Sequence, residues 1–262
     1  MRALNSAATG MLAQEQNIEV IANNIANMRT TGYKRQRAQF QDMLYEQVRR
    51  IGSQTSTQGN ILPVGIELGG GVKTVGTPRL MTQGTLLPTG NTLDLAIRGE
   101  GFFKIQMPDG TFTYTRDGSF QMDAQGRIVT PQGYVVQPAI TIPQNSTSIT
   151  INPQGQVSAI AAGTTTPAVL GQILLTRFVN RAGLQSVGDN LFVETPASGP
   201  PQDTQPAIDG MGDLQQGNLE QANVEAVTEI SDLISAQRAY EMNAKVVTAA
   251  DQMLQSASNI LR

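Results

Sequence analysis

The sequence predicts an α+β protein. Its N- and C-terminal helices pair as an α-helical coiled-coil domain, around a β-rich antiparallel central domain, with extended linker or hairpin regions between. Three observations predict this. Apolar residues recur at heptad spacing at both ends of the chain. Turn signals punctuate the middle: "PDGT" at 108–111, "RDGS" at 116–119, "DAQG" at 123–126 and "TPQG" at 130–133. Two Gly/Pro-rich stretches, Gly52 to Gly71 and Ala197 to Gly217, separate these regions.

In the first segment Leu4, Met11, Ile18 and Ile25 stand seven apart, with Ala7, Gln14, Ile21 and Met28 three residues behind each. This is an a/d seam with Gln14 as its polar intruder. At 1.5 Å per residue it makes a rod of about 40 Å. Asn23, Asn24 and Asn27 sit inside it, although Asn amides compete for backbone hydrogen bonds and weaken helix interiors. The heptad frame puts all three at outer positions beside or opposite the seam. There an amide can hydrogen-bond to a neighbouring subunit, or line a channel without a fixed charge. Thr31-Gly32 then ends the helix, and Lys34, Arg35 and Arg37 follow.

The last segment repeats the pattern. Leu233, Tyr240, Val247, Leu254 and Leu261 are seven apart, followed by Ala236, Asn243, Ala250 and Ala257. The frame extends backward through Ala226, Ala222 and Leu219, and neither Pro nor Gly occurs after Gly217. A helix is expected from about Val224 to Ile260. Large a and small d residues allow a partner helix to approach closely, and Leu4, Met11, Ile18 and Ile25 are expected against Leu233, Tyr240, Val247 and Leu254. A single heptad helix is equally well an ordinary core helix. The 3.5 period at both ends of one chain favours pairing, and so does charge, because the first fifty residues are net basic and the last fifty net acidic.

Short alternating stretches such as "TFTYT", "SFQMD" and "RIVT" lie between the central turns and read as antiparallel hairpins. "SITI" and "QVSAI" flank "NPQG", and "GQILLTRFVN" reads as one more strand. The expected organisation is an inner helical domain of 1–32 plus 224–262, an intermediate region of 33–95 plus 200–223, and an outer β domain of 96–199.

Composition narrows the chemistry. The chain has no Cys and no His among 262 residues. That removes disulfides, thiolate metal sites and His acid–base chemistry. A net charge of −3 argues against a nucleic-acid binder. Gln14, Glu15, Gln16 and Asn17 interrupt the N-terminus, so neither a signal peptide nor a spanning helix is expected. The acid–base candidates are Asp94, Glu100, Asp109, Asp117 and Asp123. Asp109 and Asp117 each precede Gly in a turn, where local hydrogen bonding explains them. "LGGGV" and "RGEGFF" lack the lysine and the spacing of phosphate sites. No catalytic residue, metal or cofactor is expected. Two readings remain open on these grounds: a self-assembling shaft subunit, and a carbohydrate-binding or carbohydrate-cleaving β protein on a helical stalk.

"ANNIANMRTTGYKRQRAQFQDMLY" resembles the N-terminal signature of the bacterial flagellar rod and hook family, and "ISAQRAYEMNAKVVTAADQMLQ" its C-terminal signature. "LAIRGEGFFKI", "YTRDGSF" and "TPQGYVVQP" are similar to the family's β domain. Thr31, Gly32, Tyr33 and Lys34 fall on the family's turn motif, with Met28, Arg29 and Tyr33 as departures. The length and the "TTGYKRQRAQFQDMLYE" continuation resemble the distal-rod branch, whose stiffening insertion matches residues 52–71. The resemblance implies a homo-oligomeric, helically stacked hollow tube that transmits torque across the periplasm. It implies proximal rod, hook and rod-surrounding ring proteins as partners, and export through the flagellar type III apparatus without a cleavable signal. It implies no nucleic acid and no membrane insertion. The family's proximal rod and hook proteins are the alternatives.

Overall fold

The structure, a computed structural model, describes residues 2–52, 64–163 and 166–260. The chain forms two compact units, Met1–Ile25 with Gln36–Pro78 and Glu225–Arg262, and Ala26–Arg35 with Arg79–Val224.

The first unit contains helix α1 (Arg2–Ala26) and helix α2 (Ala226–Ile260). They meet at two places. A Cβ on Gly10 would lie 2.9 Å from the Asn243 amide nitrogen, and Asn24 Nδ2 donates to Glu229 Oε2 at 3.1 Å. These contacts are equally spaced along each helix and run in opposite chain directions, so α1 and α2 are antiparallel. In that register α2 outruns the start of α1, and Asp251–Ser256 are all exposed. Small or polar residues make the closest approach. The buried residues of α1 are Ala7, Ala13, Ile21 and Asn24, and those of α2 include Glu229, Ala236 and Ala250.

An antiparallel hairpin completes this unit. Gln39–Asp42 pairs with Val72–Gly76, and Tyr45–Arg49 with Ile66–Gly69. The Thr9 hydroxyl accepts from Val72 N at 3.4 Å, Gln16 and Thr74 hydrogen-bond, and Arg2 pairs with Glu46 at 2.6 Å. The stretch Gly52 to Gly71, expected as an extended linker or hairpin region, includes the strand Ile66–Gly69. Residues 53–63 of this stretch lie outside those described.

In the second unit an antiparallel sheet runs in the order Gln185–Gly188, Leu191–Val193, Phe112–Thr115, Phe102–Gln106, Val135–Gln137, Ile128–Val129, Gln121–Met122. Leu175–Arg177 also pairs with Phe102–Gln106 and carries Gln202–Thr204 on its other side. A three-stranded sheet joins Ser146–Ile151, Gln156–Ala161 and Ala168–Gln172. Two further ladders pair Asp213–Gln216 with Leu95–Arg98, and Asn218–Glu220 with Leu86–Pro88. Alternation puts Phe103, Ile105, Val136 and Leu175 into the main apolar core. Phe102, Tyr114, Phe178, Leu184 and Phe192 form a second cluster with edge-to-face rings.

Several expectations need correcting. "GQILLTRFVN" is not one strand, because it spans the end of Ala168–Gln172 and all of Leu175–Arg177, which belong to different sheets. Ala197–Gly217, read as a linker or extended loop, contains two strands. Met28 lies beyond α1, in a turn where Thr30 N donates to Asn27 O at 3.0 Å. Leu219, which continues the C-terminal heptad frame, is in a strand.

Glycine inside a helix costs about 1 kcal/mol relative to alanine, so Gly10 needs a reason, and the Asn243 amide supplies it. Gly10→Leu should destabilise the helical unit by about 1–3 kcal/mol despite leucine's better propensity, with part of the loss recovered by Asn243→Ala. Thermal unfolding followed by far-UV circular dichroism checks this; a stabilised Gly10→Leu chain would contradict the close approach.

Candidate functional site

In the second unit the Thr-Thr-Gly turn is held by polar contacts from three distant parts of the sequence. Gly32 has φ +67°, and a Cβ there would lie 2.7 Å from Asp117 N, so both conformation and space require glycine. Gly32 N donates to the Glu220 carbonyl at 2.8 Å. Asn190 Nδ2 donates to the Thr31 carbonyl at 3.0 Å. Tyr33 is buried, with the Arg79 guanidinium 5.7 Å from its ring centroid and equally far from that of Phe192. Asn223 fastens the exit, as its Oδ1 accepts from Arg35 N at 2.7 Å and its Nδ2 donates to Leu80 O at 2.8 Å.

Beneath the turn is a buried ion triad. Lys34 Nζ lies 2.6 Å from Glu220 Oε1, and Arg116 Nε lies 2.9 Å from Glu220 Oε2; the three side chains are 1%, 5% and 0% exposed for Lys34, Arg116 and Glu220. Gly84 N also donates to Glu220 Oε1 at 2.9 Å. Lys34 donates to Thr82 O at 2.8 Å, and Arg116 to Gly99 O at 2.9 Å and Gly101 O at 2.7 Å. Such saturation is what makes buried charge tolerable, because an unpaired buried ion is far more costly.

The titration directions follow. Burial pushes Glu220 up, but Arg116 and then Lys34 outweigh it, and its pKa falls below the ordinary 4.5. Burial and the neighbouring Arg116 push Lys34 below its ordinary 10.5, and Glu220 offsets only part of this. A lowered carboxylate pKa stabilises the fold above the unfolded-state value, and that stability is lost as pH falls through the folded-state value. A lowered lysine pKa works against the fold in its charged form. That cost is complete below the folded-state pKa and disappears as pH rises past the unfolded value. Acid therefore weakens the unit through Glu220 below pH 4.5, whereas the lysine's contribution changes only between its folded-state pKa and 10.5.

In the first unit Asn24, 1% exposed, uses its amide as a substitute backbone group. Its Nδ2 donates to Gln36 O at 2.8 Å, and its Oδ1 accepts from Gln36 N at 2.9 Å. The outer position expected for Asn24 is therefore incorrect. Asn24 touches α2 through Glu229 as well as the chain after the turn through Gln36, so it lies at the helix contact itself. Leucine at 24 would strand the Gln36 backbone pair, so it cannot be neutral to folding in the isolated chain.

Of the remaining expected residues, Leu4, Met11, Ile18 and Ile25 are half-buried, and Ile21 is buried. On α2, Leu233, Asn243 and Val247 are half-buried, while Tyr240 and Leu254 are 41% and 46% exposed. Leu261 lies outside the described residues. Asn23 is exposed, and Asn27 accepts from the Thr30 hydroxyl at 3.2 Å. Glu220, Arg116, Asn190, Asn223 and Arg79 were not foreseen. The only signal was a lysine invested in a turn motif, which asks for a carboxylate partner without saying where in the sequence it lies.

Turn carboxylates hydrogen-bond locally. Asp109 Oδ1 accepts from Thr111 N at 3.0 Å, Asp117 Oδ1 from Ser119 N at 3.0 Å, and Asp123 Oδ1 from Gln125 N at 2.9 Å. Among the described residues no group of three or more acidic side chains could hold a metal ion.

Comparison with known proteins gives a consistent result along the chain. Residues 4–34 match the family "Flagella basal body rod protein", residues 96–159 "Flagellar hook protein FlgE/F/G D1 domain", and residues 215–260 "Flagellar basal body rod FlgEFG protein C-terminal". The flagellar basal-body rod protein FlgG of Caulobacter vibrioides is 54% identical, covering 99% of both chains. FlgG of Agrobacterium fabrum is 50% identical, covering 100% of both. FlgF of the same Caulobacter is 33% identical, over 97% of this chain and 96% of its own.

Glu220→Gln removes the one anion from between two buried cations and should cost about 3–5 kcal/mol. It should also remove much of the acid sensitivity below pH 4.5. Denaturant melts at neutral and acid pH check this. A variant as stable as wild type, with unchanged pH dependence, would contradict the triad.

Proposed function

The chain belongs to the flagellar basal-body rod protein family, and from that premise we propose that it is a structural subunit of the distal rod, stacking helically into the hollow shaft that carries torque to the hook. The observation that carries this reading is the end-to-end similarity to FlgG, at 54% identity against 33% for FlgF of the same bacterium. It places the chain in the distal-rod branch rather than with proximal rod or hook proteins. The relatives are rod proteins rather than enzymes, and this chain is likewise read as having no catalytic role or cofactor. A carbohydrate protein on a stalk is not favoured, since both terminal helices lie in one unit and the turn carboxylates bond to their own turns.

The heptad residues supply the assembly surface. Within one chain Tyr240 and Leu254 are open, and the end of α2 extends past α1. Exposed leucine and tyrosine at these spacings fit a neighbouring helix, since each aliphatic side chain buried there contributes about 1.5–3 kcal/mol. In a tube the seam of Leu4, Met11, Ile18, Ile21, Ile25, Leu233, Tyr240, Val247, Leu254 and Leu261 is then completed between copies. Asn23, Asn27 and Asn243 act as polar contacts beside it. Proximal rod, hook and ring proteins are the expected neighbours, and a type III apparatus the expected export route. Among the described residues no helix is long and apolar enough to cross a membrane.

Tyr240→Asp, alone and with Leu254→Asp, should abolish tube formation while leaving the β unit folded. Electron microscopy of concentrated protein, with near-UV circular dichroism as the folding control, reads both outcomes. Wild-type tubes from the double variant would count against this surface.

A further inference from the structure

We propose that residues Ala26–Arg35 form an acid-released strap, which undocks from the β unit as one step when Glu220 is protonated, before the β unit itself unfolds. The contrast in how the two parts are held supports this. No residue of 26–35 belongs to either apolar cluster of the β unit. The strap is held instead by Gly32 N on the Glu220 carbonyl, Lys34 on Glu220 and Thr82, Asn190 on the Thr31 carbonyl, and Asn223 on Arg35 N. Tyr33 is its one buried ring. Segments with few apolar contacts open locally at lower free energy than the core.

The charges make this opening depend on one proton. Glu220 faces Lys34 from the strap and Arg116 from the loop after Phe112–Thr115. Lys34 also feels Arg181, which pairs with Glu100 at 3.0 Å, and Arg79 donates to the Lys34 carbonyl at 3.4 Å. Lys34 thus feels the cations Arg116 and Arg181 and the anion Glu220, Glu220 feels Arg116 and Lys34, and Asp117, whose backbone lies against Gly32, has its carboxylate accepting from Ser119 N. When Glu220 takes up a proton, Lys34 and Arg116 are left buried together without an anion. Undocking the strap carries the Lys34 ammonium into water and relieves both the burial and the repulsion. Arg116 remains bonded to the carbonyls of Gly99 and Gly101, and the Phe103–Ile105 core is not disturbed.

The proposal concerns the isolated chain and stands whether or not the chain assembles. Amide exchange by NMR on the full-length monomer, stepped from pH 7 to pH 3, tests it. The readout is the protection of Gly32 and Arg35, whose amides bond Glu220 and Asn223, relative to Phe103 and Ile105, corrected for intrinsic exchange. Coupling to a single proton lowers strap protection by up to about tenfold per pH unit between the undocked Glu220 pKa and its lower docked value, while the core amides hold. In Glu220→Gln the strap should be open at pH 7 with no further pH dependence. In Lys34→Met protection should lose its pH slope, because a protonated Glu220 then faces a single cation; this variant decides the matter if Glu220→Gln does not fold. Loss of strap and core protection at the same pH, or an unchanged slope in Lys34→Met, would overturn the proposal.

Discussion

A carboxylate with no exposure can stay ionised only if the surrounding structure replaces water completely. Glu220 is that group, and each of its oxygens is committed: one to Lys34 and Gly84 N, the other to Arg116. Those donors come from the segment after α1, the strand region near Leu86 and the loop after Phe112–Thr115. If a donor moves, one carboxylate oxygen loses its partner, and if the Glu220 charge is lost, two like charges are left in a low-dielectric interior. The triad therefore constrains geometry more than it adds net stability, since a buried ion pair often does no better than a well-packed apolar replacement. What it specifies is where the chain enters and leaves the β unit.

That constraint suits a shaft subunit. The chain passes between the helical unit and the β unit at both ends of 26–35, at Pro78–Arg79 and after 220–224. Residues 26–35 and 220–224 are held by charged or amide groups with directional bonds, while the interior of the β unit relies on interlocking aromatic and aliphatic side chains. Within the helical unit the same use of small and polar groups recurs. Gly10 admits the Asn243 amide, and Asn24 reproduces a backbone pair with Gln36. Tyr240 and Leu254 stay exposed within the single chain.

Much of the architecture was legible in the sequence because periodicity reports local geometry. Heptads located both helices, and Asp-Gly turns located the central hairpins, with Asp109 and Asp117 bonding as short-range rules predict. Contacts between residues far apart were not legible. Glu220 is 186 residues from Lys34 and 104 from Arg116, and no spacing rule links them. Asn24 was misplaced because a heptad frame reserves the helix contact for apolar positions, whereas this amide bonds both Glu229 of α2 and the Gln36 backbone. "GQILLTRFVN" looked continuous because its apolar run hides the change from one sheet to another. The resemblance to flagellar rod proteins supplied the function that these patterns alone left open.

A double-mutant cycle of Lys34→Met and Glu220→Gln, measured by denaturant unfolding of the full chain at pH 7, tests the central role of the triad most directly. The buried pair predicts a coupling of about 2 kcal/mol or more, with the double variant much less damaged than the two single losses combined. Additivity of the two substitutions to within about 0.5 kcal/mol would contradict it.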